Sequence, residues 1–103
     1  MQSLTVPPAA QRDNNSVQML GAWIAENGLH CALKVGVWHD QERSEASAWG
    51  ILLADVVRHL SNAIRDEYGT DPSETTNAVV KSLLAELDEP SSNAHGEFHP
   101  GHS

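Results

Sequence analysis

Three groups of side chains in this sequence have the types and spacing to do chemistry. Asp55 stands three residues before Arg58 and four before His59, a spacing that sets the acid beside both bases on one flank of a helix. Such a pair could orient an imidazole for proton transfer, but general acid–base catalysis needs a positioned reacting partner, and no nucleophile or second acid is paired with it. The plainer reading is a surface ion pair of roughly 0.2 to 0.5 kcal/mol. His39, Asp40, Glu42 and Glu45 form a second group. Their spacing matches no established ligand set for a divalent metal, whereas carboxylates entering a helix are favoured by the positive end of its dipole. The third group is the tail, where His95, His99 and His102 surround Glu97. Imidazoles bind Zn, Ni or Cu, but Gly96, Pro100 and Gly101 leave the ligands unorganised, so the tail reads as a weak, adventitious metal binder. No catalytic residue and no cofactor are expected.

Composition narrows the partners. Six Lys and Arg against fourteen Asp and Glu give a net charge of -8, which repels phosphate backbones and anionic lipid surfaces. Neither nucleic acid nor membrane is an expected partner. The longest apolar run, Ala48 to Ala54, is far too short to span a bilayer. With no signal-like start the expectation is a cytoplasmic protein. Cys31 is the only cysteine, which rules out an internal disulfide and reads as an inert thiol on a core face.

The elements that must position these groups begin with a β-hairpin. Asn27-Gly28 separates apolar runs from Val17 to Glu26 and from Leu29 to Trp38, and Asn-Gly suits the positive φ that both central residues of a type I′ turn require. With those two residues as the loop, Ile24 opposes Cys31, Ala22 opposes Leu33 and Leu20 opposes Val35. One face then holds Leu20, Ala22, Ile24, Leu29, Cys31, Leu33, Val35 and Val37. This is the expected core face, packed on helices. The other face is mixed, and Met19, Trp23, His30, Lys34 and Trp38 on it are the candidate interface or ligand residues. Because an isolated hairpin is marginal and has two open edges, the expectation is a homodimer with a four-stranded intersubunit sheet.

A helical period follows. Trp49, Leu52, Leu53, Val56, Val57, Leu60, Ala63 and Ile64 make one broad apolar stripe, on a helix that starts between Asp40 and Ser44 and stops at Gly69. Gly50 interrupts it at about 1 kcal/mol relative to Ala, which a close backbone contact would justify. Asp71-Pro72-Ser73-Glu74 then announces a second helix, with Asp71 capping, Pro72 in the first position and Glu74 able to complete a capping box. Thr76, Val79, Val80, Leu83, Leu84 and Leu87 lie on one side of it, and it ends before Pro90. The fold expected is α+β in the order ββαα: an extended arm over residues 1–16, on which Leu4 and Val6 dock to the domain, one domain over 17–89, and a tail without regular structure over 90–103.

Trp23-Ile24-Ala25, Gly28-Leu29-His30-Cys31 and Ala46 to Asp55 followed by Arg58-His59 together resemble a family of small, uncharacterised bacterial proteins. The resemblance covers Leu4 to about Pro90 and implies a bacterial source and a compact α+β domain. It carries over no catalytic or binding residue. The function expected from the residues is a homodimeric protein-interaction or regulatory module without catalysis. A small-molecule pocket at the dimer interface is the alternative, and metal binding through the tail a further one.

Overall fold

The computed structural model describes residues 1–38, 44–91 and the backbone of 95–100. Along the chain run α1 (Pro8–Arg12), β1 (Leu20–Ala25), β2 (Gly28–Val35), α2 (Glu45–Tyr68), α3 (Pro72–Asp88) and β3 (His95–Pro100). This is an α+β chain with an antiparallel hairpin followed by helices. It divides into two compact units, the first built on Met1–Val35 with the C-terminal strand and the second on the chain after Gly36.

In the first unit, the expected arm contains a short helix. Pro8 stands in its first turn, where the missing N–H is no loss, and Ala9, Ala10, Gln11 and Arg12 are all good helix formers. The proline pair reads as a breaker only if that first-turn preference is overlooked. Leu4 and Val6 are exposed and do not dock as expected.

The hairpin turn sits one residue earlier than expected, which shifts every cross-strand partner by two residues. Ala25 opposes Gly28, Ile24 opposes Leu29, Trp23 opposes His30, Ala22 opposes Cys31 and Leu20 opposes Leu33. The turn residues are therefore Glu26 and Asn27, with φ of 51° and 63°, and Gly28 joins the strand. A glutamate at positive φ costs about 1 to 2 kcal/mol. Against this, the register sets Trp23 directly across from His30 and Leu20 across from Leu33, and cross-strand pairs are the unit of sheet stability. The slip changes partners but not faces, because both strands keep their alternation. Ile24 on the expected core face is nevertheless 90% exposed; of that face Leu20, Cys31, Leu33 and Val37 are half-buried.

The tail also departs from expectation. His95–Pro100 forms β3, parallel to β2, and completes a sheet of order β1-β2-β3. A bare strand edge offers backbone donors and acceptors that any sequence can satisfy, so composition alone gives little warning of such pairing.

The second unit is a helical hairpin whose ends follow local chemistry. The Ser44 side chain accepts from the Ser47 N–H at the start of α2, and Gly69, with φ 76°, closes its end in the left-handed conformation. Asp71 caps α3 by accepting from the Ser73 N–H, with Pro72 next in line. The two helices approach through small residues. Ser61 on α2 is 2% exposed, and its hydroxyl donates to the Val57 carbonyl while lying 2.9 Å from the Thr76 hydroxyl of α3. Ala48, Ser61 and Thr75 are the buried residues among those described.

Candidate functional site

A recess of about 290 Å³ on the sheet is lined by Gly21, Trp23, Ala32 and Lys34 of the mixed face together with Gln18, Leu20 and Leu33. Register explains its shape. Gly21 and Ala32 are paired across β1 and β2, so the floor between them carries nothing larger than a methyl group. Trp23, two residues on along β1, lies back across that floor: a Cβ built on Gly21 would come within 2.5 Å of the outer ring of the indole. Gly21 is thus the residue that lets the indole lie flat against the strand. Lys34 lines the far side, next to the β1 end where its backbone N–H donates to the Met19 carbonyl at 3.0 Å.

Of the five residues expected to share this face, Trp23 and Lys34 line the recess. Met19 sits half-buried just before β1 and takes part through its carbonyl. His30 is across from Trp23, and its Nε2 lies 3.1 Å from the Ala25 carbonyl. A carbonyl can only accept, so Nε2 carries the proton, and the imidazole braces the turn. Trp38 does not belong to the face. Gly36, with φ 100°, ends the strand, and Trp38 packs edge-on against Trp49 of α2 with ring centroids 5.9 Å apart. The alternation read through Gly36 fails because a residue at positive φ breaks the strand's two-residue period. Gln18, Gly21 and Ala32 were not singled out from sequence. The signal available was Gly21 two places before a tryptophan on the same strand face.

Glu45, expected only to complement the dipole of α2, has a more definite task. Its Oε1 accepts from the Gly36 N–H at 2.7 Å and from the Trp49 indole N–H at 3.3 Å. It therefore ties the residue that leaves the strand to the start of α2. His39, Asp40 and Glu42 lie outside the described residues. Asp55 forms an exposed ion pair with Arg58 at 3.1 Å, the plain reading of that group. In the tail, register sets His95 opposite His30 and His99 opposite Lys34, while His102 lies outside the described residues. Among the described residues no three His, Cys, Asp or Glu side chains come together as a metal site.

The family described as "Domain of unknown function (DUF5076)" matches residues 3–91. No curated protein matches the chain. Among solved structures, a chain given as a "putative pyruvate dehydrogenase from the photosynthetic bacterium Rhodopseudomonas palustrus CGA009" is 23% identical with a TM-score of 0.64, over 91% of each chain. At that identity the likeness is one of fold.

Proposed function

The chain belongs to the DUF5076 family, a domain of unknown function, and we propose that it is a small cytoplasmic homodimer that serves as an interaction module without catalysis. One observation carries this reading: the apolar residues of the helical hairpin are largely uncovered. Ile51, Leu53, Val56 and Leu60 on α2 and Val80, Leu83, Leu84 and Leu87 on α3 are all exposed, Leu84 at 60% and Leu87 at 73%. The four on α3 follow the i, i+3, i+4, i+7 spacing of a single stripe. Contiguous apolar surface on a soluble chain marks an association site, and closed twofold dimers are the commonest way to cover it.

Charge supports a protein partner over other classes. A net charge of -8 disfavours nucleic acid and anionic lipid, and no described helix is long and apolar enough to cross a membrane. An intersubunit sheet is the rival geometry for the same dimer. It would run through β1 or through the outer edge of β3, since β2 has a neighbour on each side. The helical stripe offers more apolar surface, and we place the dimer contact there. Double substitution Leu84→Glu with Leu87→Glu separates the two. Size-exclusion chromatography with light scattering is expected to show a monomer for that variant, with dissociation at least about 30-fold easier, as truncating a hot spot of about 2 kcal/mol gives. Ile24→Glu on the sheet is expected to leave the dimer intact. The reverse result would move the contact to the sheet.

A further inference from the structure

We propose that the recess on the sheet binds a planar aromatic carboxylate, with the ligand's ring against the Trp23 indole and its carboxylate held by Lys34 and the Gln18 amide. The proposal stands apart from the dimer, since every lining residue belongs to the sheet unit.

The walls specify a flat guest. Gly21 and Ala32 make a floor without bulk, and the indole is already laid along it by the missing side chain at position 21. Trp23 remains 37% exposed, so a ring face is available to stack. An aromatic wall fixed before binding loses little freedom when the guest arrives. A recess of about 290 Å³ stands near the lower end of the range for ligand pockets, roughly 300 to 1,000 Å³, which suits a molecule of one or two rings.

The polar groups specify its charge. Lys34 is half-buried and lines the recess, in a chain where acids outnumber Lys and Arg fourteen to six. An ammonium left in a partly desolvated recess is satisfied best by an anion. The Gln18 amide reaches the Leu20 carbonyl only at 3.4 Å, a long bond that a carboxylate oxygen can displace. A neutral or cationic aromatic molecule would use the indole and leave Lys34 unanswered.

Calorimetric titration of the full chain with 4-hydroxybenzoate and with its neutral counterpart 4-hydroxybenzamide tests this. The carboxylate is expected to bind about tenfold more tightly than the amide, the ratio that one charge-assisted hydrogen bond supplies. Lys34→Gln should erase that preference by weakening the carboxylate more than the amide, and Lys81→Gln on α3 should change nothing. Gly21→Ala, which pushes the indole off its floor, should weaken both compounds. Circular dichroism checks that each variant is folded. Equal affinity for the two compounds, no heat from either, or equal loss in Lys34→Gln and Lys81→Gln would overturn the proposal.

Discussion

In the helical hairpin Ala48, Ser61 and Thr75 are buried, whereas in the sheet unit no described side chain is buried. The helices meet through a buried serine and a hydroxyl pair, while Leu53, Val56, Leu60, Val80, Leu83, Leu84 and Leu87 remain exposed. The sheet is held instead by backbone pairing, and a recess on it is framed by Trp23 and Lys34. The difference separates two uses of side chains. In the hairpin, large apolar residues remain exposed, and the proposed dimer would cover them, since a domain this small rarely stabilises itself on its own core. In the sheet, a small floor beside an aromatic wall is left for a guest.

The largest effect is expected at Ser61, which is 2% exposed. Ser61→Leu forces bulk into the tight crossing of α2 and α3, and thermal or urea unfolding should show a loss of about 1 to 3 kcal/mol, the usual effect of overpacking. A neutral result would mean that the helices do not depend on close approach there. Gly50 gives the opposite sign. A Cβ built on Gly50 meets nothing within 4 Å among the described residues. Gly50→Ala should stabilise the hairpin by about 0.5 to 1 kcal/mol in the same assay.

The smallest effect is at Glu86, whose Oε2 accepts from the Ser91 N–H at 2.9 Å. That backbone bond, with help from the Ser91 side chain, lowers the carboxyl pKa below the ordinary glutamate value. A lowered folded pKa contributes stability above the unfolded value and loses it as the pH falls through the folded one. The Ser91 amide resonance should therefore shift in acid, at a pH below that of an ordinary glutamate. Glu86→Gln should abolish the shift without affecting α2.

How much of this was legible in the residues differs between the units for a physical reason. Helix ends are set within a few residues, so Ser44, Gly69 and Asp71-Pro72 could be read directly. Hairpin faces were legible too, because alternation survives the slip of the turn from Asn27-Gly28 to Glu26-Asn27. The turn itself was not, since its position depends on which cross-strand pairs gain most. Nor was the departure of Trp38 from the strand, which rests on the backbone of Gly36, or the addition of β3, which rests on a free edge. For the candidate site, Trp23 and Lys34 were identifiable from the mixed face. Gly21 and Ala32 became visible only once the register had paired them.

In the proposed dimer the exposed stripe on α3 is covered by a second copy of the chain. Sedimentation equilibrium of the unaltered protein, from low to high micromolar concentration, tests it most directly. A species of twice the 11.2 kDa chain mass is expected, and a single-chain mass across the whole range would rule the dimer out.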